Sequence, residues 1–560
     1  MRSSPSPLEQ PSAPIPVMAR ERRARPWVLV ACLGIALASV LPLLGLDGWP
    51  YNHEGFSLFE RAEAFRRAFV AGDFFPLWTP FSHNGHGSPW PFFYHRLFTT
   101  LSGGWAWGLG SAFRGVQVAL VLVLFVGALG MVAAARMLGL SPWLQVLAAF
   151  LFCFSPYAYL DWVVRGAGAE LCAMMLYPWL LWACLRLRDE GRGGGWVGLI
   201  LAALFSAHMV MFLYAFFTLA VALGFMLRRW GWRATLVATG QAALVVLVLC
   251  APYAVLMVRL EKHFNTGALA SWVPDREYVS LVRYFWDRKF HWGKQWEGLT
   301  PEIGRAVSLG LLVLGGVRLA SRGGVRSRGS TWAFLLGCAA IYAVLQLPLS
   351  APFYRAVPFA HLLQFPWRLV AYLTALLVLV LCLLVEDTAG QGGWRRRLSW
   401  GVVGLTIFTG LWFGWRATHP RYPVADRAGI ESELAALDRP WSGGEYIPRS
   451  VVEGGVPPPA AFLAHEGCER LDAEPREALH GALHFDRITL SVASSRGCAV
   501  RFNQFVTPFI AADADASARF VTTQAGTLEV QLPAGEHRVV LRRRGFFELL
   551  SRQLVYAQSP

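Results

Sequence analysis

Charged residues are scarce in this chain. Of its 560 residues only 16% are Asp, Glu, Lys or Arg, whereas soluble proteins average about 25%. Hydrophobic residues make up 55%, the mean hydropathy is +0.41, and the apolar residues form long uncharged blocks. These features exclude a disordered chain, a fibrous protein and a set of soluble domains. They predict a polytopic α-helical membrane protein.

Common metal and nucleotide motifs are also absent. No Cys-x-x-Cys or His-Glu-x-x-His pattern occurs, so no structural zinc site is expected. The lack of a P-loop argues against transport driven by ATP hydrolysis. Seven of the nine cysteines lie in or beside apolar blocks, as packing residues do. Cys468 and Cys498 remain as a candidate disulfide, and the sequence leaves open whether they pair.

The net charge of +15 comes from arginine clusters that lie between the apolar blocks. This distribution follows the positive-inside rule of membrane proteins and does not mark a basic face for nucleic acid. No nucleic-acid partner is therefore expected. Residues 1–25, which carry five arginines, are predicted to be a cytoplasmic tail.

Eleven crossings within a transmembrane domain of residues 26–415 place these clusters on the cytoplasmic side. Residues 97–113, which are glycine-rich and only moderately apolar, must then form a re-entrant or interfacial helix. Residues 196–227 must hold two short spans that turn at Ser206-Ala207-His208. The predicted crossings are residues 26–46, 116–135, 143–160, 171–185, 196–227 as a pair, 234–258, 303–317, 331–348, 367–385 and 398–415.

Residues 416–560 have a different pattern. Apolar and polar side chains alternate in short runs, as at Ile488, Leu490 and Val492, which predicts an extracytoplasmic β-sandwich domain. The segment 532–536, Leu-Pro-Ala-Gly-Glu, is expected to form the turn of a hairpin. Residues 439–459 are predicted to be a linker.

The large first external loop, residues 47–114, holds the leading catalytic candidate. Glu54 follows the first span by a few residues, where a carboxylate can act as a general base, and His53 precedes it. A solvated loop acid or a helix cap is the structural alternative for Glu54. Trp78 and Tyr94 either stack on a sugar or belong to an interfacial aromatic belt.

Other ionisable residues lie near span ends on the same predicted side. Arg165 and Glu170 bracket a segment of small residues, so they either line a cleft or form an interfacial salt bridge. His208 is either a hydrogen-bonded structural residue or reaches a watery cavity.

A further polar group begins the predicted span at residues 367–385. It consists of His361, Gln364 and Arg368. A guanidinium at the membrane interface offers two parallel donors to a phosphate, so Arg368 is a candidate anion ligand. Snorkelling of Arg368 to lipid headgroups is the alternative.

These motifs resemble a bacterial membrane family labelled "6-pyruvoyl-tetrahydropterin synthase-related", which is similar to YfhO-like proteins. Both groups resemble the C superfamily of glycosyltransferases, GT-C. The resemblance covers most of the chain in the same order. The motifs that carry it are residues 52–55, 72–78, 85–89, 165–170, the hairpin at His208, and residues 364–368 and 445–448.

The chain departs from that family at two places. Related proteins usually have His-Asp-Gly where this chain has His53-Glu54-Gly55, which keeps the carboxylate on a longer side chain. They also tend to have Tyr-x-Pro-Leu where this chain has Tyr94-His95-Arg96-Leu97, so the local turn is not carried over.

The resemblance implies an enzyme on the outer face of the bacterial inner membrane. It would transfer a sugar from a polyprenyl-phosphate donor to a glycan, lipid or protein acceptor, with inversion and with Glu54 as the base. Arg368, helped by Arg165 or His208, would bind the donor phosphate. No cofactor is expected, and a divalent cation is left open. Support for the cleft would come from Glu170, Gln364, His361, Trp78 and Tyr94.

Two other functions remain open on the sequence alone. A transporter or flippase for a lipid-linked glycan predicts ionisable residues deep in several spans and two related halves. A non-catalytic cell-envelope assembly protein would use its β-domain as the working part. The polar residues gather on one predicted side and no internal repeat is visible, which favours the enzyme.

Overall fold

The described part of the chain is a bundle of α-helices followed by two four-stranded β-sheets, with a two-stranded sheet that joins residues 48–50 to residues 424–426. The predicted tail, residues 1–25, and most of the predicted linker lie outside the described residues. The computed structural model describes residues 26–44, 47–50, 52–54, 56–265, 278, 282, 285, 302–321, 328–356, 363, 365–418, 424–436, 446–449, 451, 458, 461–479 and 484–551.

Seventeen α-helices are present in this part of the chain, together with a π-helix at Leu160–Arg165 and 3₁₀ turns at Pro348–Ser350, Pro366–Leu369 and Arg476–Leu479. The α-helices are α1 (Pro26–Leu44), α2 (Ser57–Val70), α3 (Trp90–Phe93), α4 (Leu97–Leu109), α5 (Ala112–Met137), α6 (Pro142–Cys153), α7 (Pro156–Tyr159), α8 (Gly168–Glu190), α9 (Gly194–Ala207), α10 (Met209–Glu261), α11 (Arg305–Ala320), α12 (Gly329–Leu345), α13 (Ala351–Ala356), α14 (Val370–Ala389), α15 (Gly393–Thr418), α16 (Arg427–Ala436) and α17 (Phe546–Ser551).

By length and composition, the chain is a multi-pass membrane protein. Among the described residues, six segments are long and apolar enough to cross a membrane: Ala112–Met137, Pro142–Arg165, Gly168–Glu190, Met209–Glu261, Pro366–Ala389 and Gly393–Arg416. Helix α12 and the segment after it, which is bent by 84°, form a seventh candidate if they count as one span. Helices α1 and α9 are apolar but shorter. The count of eleven crossings therefore stays a prediction.

The predicted turn at residues 206–208 is present. Helix α9 ends at Ala207, α10 begins at Met209, and His208 between them has an extended backbone. The 53 residues of α10 are two helices joined at Gly231, whose backbone angles (φ 78°, ψ 174°) are not helical. This break falls among arginines that the sequence placed between two spans. Helix α4 has 13 residues, about 20 Å, which is short for a membrane crossing.

Helix α14 is the central helix of the bundle. Its sequence is apolar on every face, so nearly all of its residues are buried. The Tyr372 ring stacks on Tyr177 of α8, with 3.8 Å between ring centroids. The Tyr372 hydroxyl donates a hydrogen bond to the Met211 carbonyl of α10 (2.8 Å). These contacts fix the start of α14, and with it the position of Arg368 just before it.

The chain after α15 first returns to the large external loop. Strand β1 (Gly48–Pro50) pairs antiparallel with β2 (Val424–Asp426), and α16 follows directly. The Ser111 hydroxyl before α5 donates to Glu431 of α16 (2.9 Å). Residues 424–436 therefore belong with the loop, and the β-sheets start later than residue 416.

Two four-stranded antiparallel sheets form the C-terminal domain, and they share one apolar core. The alternating residues Ile488, Leu490 and Val492 are buried in that core, as predicted. Cys468 and Cys498 form a disulfide, with 5.1 Å between their Cα atoms. One sheet has the order β4 (Arg470–Glu474), β5 (Arg487–Ser494), β10 (Gly535–Arg543), β7 (Ile510–Ala514), and the other β3 (Leu463–Glu466), β6 (Cys498–Phe505), β9 (Thr527–Leu532), β8 (Arg519–Thr522).

The predicted hairpin at residues 532–536 was wrong. Strand β9 pairs with β6 and β8, whereas β10 pairs with β5 and β7, so the turn passes from one sheet to the other. Both strands bury alternate residues in the same core. Alternation of apolar residues therefore shows that each segment is a strand but not which sheet it joins.

The sandwich docks on the large external loop through buried polar contacts. The Trp78 indole donates to the Gln504 side-chain carbonyl (3.0 Å). Asp73 of the loop accepts from Arg543 of β10 and also bonds the ring nitrogen Nε2 of His484 (3.0 Å). The loop and the sandwich thus meet over a specific interface.

Replacement of Asp73 by asparagine is expected to weaken this docking by about 2 kcal/mol, because hydrogen bonds to charged groups contribute about 1.5–3 kcal/mol. The Phe505 amide, which donates to the His86 carbonyl (2.8 Å), reports on the contact. Its hydrogen-exchange rate should rise about thirty-fold. Asp486→Asn is the matched control, because Asp486 pairs with the same Arg543 but its side chain is 81% exposed. Equal effects of the two variants would contradict this role of Asp73.

The docking is also expected to weaken in acid. Burial alone would raise the pKa of the Asp73 carboxyl, but its bonds with His484 and Arg543 hold that pKa below its usual value. The resulting stabilisation is present above the unfolded pKa of about 3.9 and is lost as pH falls through the folded pKa. Burial lowers the pKa of His484, so protonation below its unfolded pKa of about 6.5 opposes docking as well. The protection factor of the Phe505 amide should therefore fall between pH 7 and pH 4 because of His484, and fall further below about pH 4 because of Asp73. A constant protection factor from about pH 7 to about pH 3 would contradict this explanation.

Candidate active site

Glu54 lies in a turn that is held against the π-helix Leu160–Arg165. The His53 N–H donates to the Val164 carbonyl (3.1 Å), and the Glu54 N–H donates to the Arg165 carbonyl (3.1 Å). These bonds bring the candidate base next to a candidate phosphate ligand. Burial and the charge of Arg165 lower the pKa of His53, against a smaller opposing effect of Glu54, so its ring is neutral at pH 7.

The close approach of this turn requires a glycine at position 166. Gly166 ends the π-helix with φ 71°, a left-handed conformation that glycine adopts without strain. A Cβ atom there would lie 2.6 Å from the Asn52 side-chain oxygen. The small residues around Arg165 therefore allow the loop to dock directly on its backbone.

Gly166→Ala is expected to detach the turn, because the φ strain of about 1–2 kcal/mol is joined by a clash with Asn52. The Glu54 amide should lose hydrogen-exchange protection by at least about ten-fold. Gly139→Ala is the matched control, because Gly139 has φ 73° and open space around its Cβ position. Unchanged protection at Glu54 in Gly166→Ala would contradict this role of the glycine.

Four buried charged side chains form a cluster beside the turn. Glu170 lies in the first turn of α8 with a side chain only 1% exposed, and its Oε1 accepts a hydrogen bond from the Tyr157 hydroxyl (2.7 Å). Its Oε2 lies 2.9 Å from Nη2 of Arg165 and 3.1 Å from Nε of Arg368. Arg165 also donates from Nη1 to Asp161 (2.7 Å). Two guanidinium groups thus converge on one carboxylate.

The formal charges of the cluster cancel, which is what makes their burial tolerable. Arg165 is shared by two carboxylates, whereas the ion pair of Arg368 in the described part of the chain is made with Glu170 through Nε. The terminal nitrogens of Arg368 donate no hydrogen bond within the described residues. Because a guanidinium can use its two sides for different acceptors, Arg368 retains donors for a second anion.

The Glu54 carboxylate is held through one of its two oxygens. Arg61 of α2 places Nη2 3.2 Å from Oε2, and the Ser57 hydroxyl donates to the same Oε2 (3.1 Å). The Arg61 side chain is 7% exposed and lies over the Tyr94 ring at 3.9 Å. Oε1 has no hydrogen-bond partner within the described residues, and the Glu54 side chain is 32% exposed. The carboxylate is therefore oriented and accessible.

Two stacked histidines lie near the arginines. The rings of His95 and His208 are 4.0 Å apart, and each Nδ1 accepts a backbone N–H, from Met209 and Met211 respectively. Each neutral ring therefore carries its proton on Nε2. Burial, followed by the charge of Arg368, lowers the pKa of His95 to about 3. His95 is thus a neutral hydrogen-bond donor rather than a cation.

Most of the residues singled out in the sequence come together here. The indole of Trp78 instead packs at the sandwich interface, away from these contacts. His361 and Gln364 lie outside the described residues. The residues linked by these contacts are Glu54, His53, Arg165, Glu170, Arg368, His208 and Tyr94.

Four residues of the candidate site were not singled out in the sequence. Asp161 and Tyr157 bind the arginine and the glutamate that it did find. Arg61 lies seven residues after Glu54 in a buried amphipathic helix, where an arginine is a visible anomaly. His95 lies in the Tyr-His-Arg-Leu segment that departs from the family pattern.

The chemistry available is that of one base and an anion site. The described residues contain no group of three or more His, Cys, Asp or Glu arranged to hold a metal ion. Glu54 can accept a proton at Oε1, Arg368 can bind an oxyanion, and the neutral imidazoles can donate hydrogen bonds. The site is suited to proton abstraction beside a bound phosphate.

Comparisons with known proteins give structural likenesses only. No family model matches the chain, and no curated protein matches it. The resemblance to the YfhO-like family therefore gains no support from them. The arabinofuranosyltransferase AftD from Mycobacteria is similar at a TM-score of 0.46 and 16% identity, over 71% of this chain and 27% of that one.

The oligosaccharyltransferase of Archaeoglobus fulgidus is similar at a TM-score of 0.40 and 12% identity, over 75% of this chain and 61% of that one. The same enzyme in complex with an inhibitory peptide and a dolichol-phosphate gives a TM-score of 0.36 and 11% identity. This chain thus spans less than two thirds of the length of either protein. Because no score reaches 0.5, the assignment of a function depends on the site itself.

Proposed function

We propose that this protein is a membrane glycosyltransferase of the GT-C type, with Glu54 as the base and Arg368 as the main ligand of a polyprenyl-phosphate donor. One observation carries the proposal. The backbone of Glu54 is bonded to Arg165, and Arg165 shares Glu170 with Arg368, so one carboxylate and two guanidinium groups occupy a single site.

The proposed reaction is a direct displacement with inversion. Oε1 of Glu54 accepts the proton of an acceptor hydroxyl as its oxygen attacks the anomeric carbon of the sugar. The bond from that carbon to the phosphate oxygen breaks, and its electron pair stays on the phosphate. The leaving phosphate gains one negative charge, which Arg368 and then Arg165 stabilise.

Arg61 and Ser57 prepare Glu54 for this step. Both contact Oε2, so the carboxylate is fixed in one orientation while Oε1 is kept for the acceptor. Tyr94 over the Arg61 guanidinium holds that side chain in place.

The arrangement favours transfer over glycoside hydrolysis by an acid pair. A hydrolase needs a second carboxyl group on the other side of the scissile bond. Asp161 and Glu170, the acids of the cluster, are buried and bound by Arg165. They hold the arginine in place. Among the described residues, Glu54 is the one accessible acid of the candidate site.

The location of the charges favours an enzyme over a transporter. A transporter of lipid-linked glycans needs polar groups along its path through the membrane. Arg165 ends one candidate span, Glu170 lies in the first turn of the next, and Arg368 precedes α14. These charges all lie at span ends, which we assign to the extracytoplasmic face of a bacterial inner membrane.

The test is release of the carrier from a labelled donor. The purified full chain is incubated with polyprenyl-phosphate sugars labelled in the sugar and with a panel of glycan, lipid and peptide acceptors. Transfer predicts equal amounts of free polyprenyl phosphate and labelled acceptor. Movement of intact donor across vesicle membranes, with no carrier released for any sugar, would contradict the proposal and support the transporter.

A further inference from the structure

A second potential binding site lies far from Glu54. A cavity of about 830 Å³ opens between α11, α12 and α14, and Val282 and Phe285 also line it. Leu312 and Leu319, on the α11 wall, are 75% and 88% exposed. The other walls include Trp332 and Leu336 of α12 and Leu377 of α14. A concave apolar surface of this kind on a membrane-spanning bundle accommodates a hydrocarbon chain.

The groove is about as long as one leaflet of the bilayer. Its lining on α11 runs from Ser308 to Leu319, eleven steps along the helix or about 17 Å, which is roughly half of the ~30 Å hydrocarbon core. Both serine hydroxyls of the lining, at positions 308 and 321, donate to backbone carbonyls of their own segment, at Gly304 and Val317. The groove therefore offers hydrocarbon contact along its length.

Positive charge is concentrated at one end of the groove. Nη2 of Arg318 lies 3.5 Å from Oδ2 of Asp387, and Nη1 of Arg328 lies 3.5 Å from Oδ1. These three side chains, two guanidinium groups and one carboxylate, carry a formal charge of +1. Nη1 of Arg328 is buried, and its contact with Asp387 is an ion pair that lacks hydrogen-bond geometry. A buried donor that makes no hydrogen bond is costly, so this end is suited to an additional anion.

This charged end lies across the membrane from the candidate active site. Arg368 precedes α14 and Asp387 lies in its last turn, nineteen residues later, or roughly 30 Å along the helix, the thickness of the hydrocarbon core. A phosphate at Arg318 and Arg328 therefore cannot be the donor phosphate at Arg368. Its source is a lipid of the opposite leaflet.

We propose that this groove binds an anionic phospholipid, with one acyl chain along α11 and the phosphate between Arg318 and Arg328. Basic pockets between membrane helices recognise anionic headgroups in this way, and each guanidinium near the surface contributes about a five-fold preference. The site is independent of the reaction at Glu54.

Native mass spectrometry of the purified full chain tests the proposal. The protein is incubated with equal amounts of phosphatidylglycerol and phosphatidylcholine that carry the same acyl chains. The wild-type chain is expected to retain phosphatidylglycerol at least five-fold more often. The double variant Arg318→Gln, Arg328→Gln should retain both lipids equally.

A glycine pair on α11 controls for folding. Gly315 lines the groove and Gly316 does not, and a Cβ atom at either position meets open space. Gly315→Leu should lower the fraction of protein that retains the lipid at least ten-fold. Gly316→Leu has the same gain in helix propensity and should leave that fraction unchanged. A wild-type chain with no headgroup preference, or a double variant that keeps the preference, would overturn the proposal. So would equal lipid retention by the two leucine variants. The proposal also fails if the adduct displaced by Gly315→Leu is a polyprenyl phosphate.

Discussion

Replacement of Glu54 by glutamine is expected to reduce sugar transfer by about 10³-fold, because general-base catalysis contributes typically about 10²–10⁴-fold. Glutamine can still accept hydrogen bonds from Arg61 and Ser57, which bind Oε2 in the wild type. The turn should therefore stay docked on Arg165, and the loss should be in kcat. Initial rates with a saturating labelled donor measure it.

Two further variants separate the proton-transfer role from charge and shape. Glu54→Asp keeps a carboxylate but withdraws it by about 1 Å, and a shift of that size costs up to about 10²-fold. Asp47→Asn removes an exposed acid from the same loop and should leave the rate unchanged. Transfer by Glu54→Gln at the wild-type rate, with the protein folded, would remove Glu54 from the mechanism.

Arg368→Gln is expected to lower kcat/KM for the donor by about 10²–10³-fold, the usual cost of losing one donor to a developing oxyanion. Glu170 keeps Arg165 and Tyr157 in this variant, so its buried charge is still compensated. Most of the loss should appear in kcat, because the phosphate gains its extra charge only as the sugar leaves.

The control for Arg368 is an arginine at the start of another helix. Arg305 begins α11, is 43% exposed and lies 3.5 Å from Glu302; Arg305→Gln should have little effect. Arg368→Lys keeps the charge but loses the planar fork, and should fall between wild type and glutamine. A normal kcat/KM in Arg368→Gln, or an equal loss in Arg305→Gln, would show that Arg368 is structural.

Local patterns in the sequence predicted the elements of the fold well. Apolar blocks gave the positions of α5, α8, α14 and α15, and alternation gave the strands of the sandwich. The partner of each strand could not be read in the same way. Strands β9 and β10 both place alternate side chains in the same core, yet they join different sheets. Pairing is decided by contacts that are distant in sequence.

The sequence identified those site residues whose charge is unusual for their position. A charge at the end of an apolar block is conspicuous, which identified Arg165, Glu170 and Arg368. The sequence could not show that Arg368 meets Glu170, nearly two hundred positions earlier. Nor could it show that Arg61 turns from an amphipathic helix to Glu54. Trp78 is aromatic, as residues that stack on sugars are, but its indole donates to Gln504 of the C-terminal domain. That contact, which is distant in sequence, could not be read from the residues around Trp78.

A structure of the Glu54→Gln variant with a bound polyprenyl-phosphate sugar tests the central claim most directly. We expect the donor phosphate within hydrogen-bond distance of the terminal nitrogens of Arg368, with the anomeric carbon of the sugar on the side of residue 54. A donor phosphate bound elsewhere, such as between Arg318 and Arg328, or a sugar remote from residue 54 would contradict it.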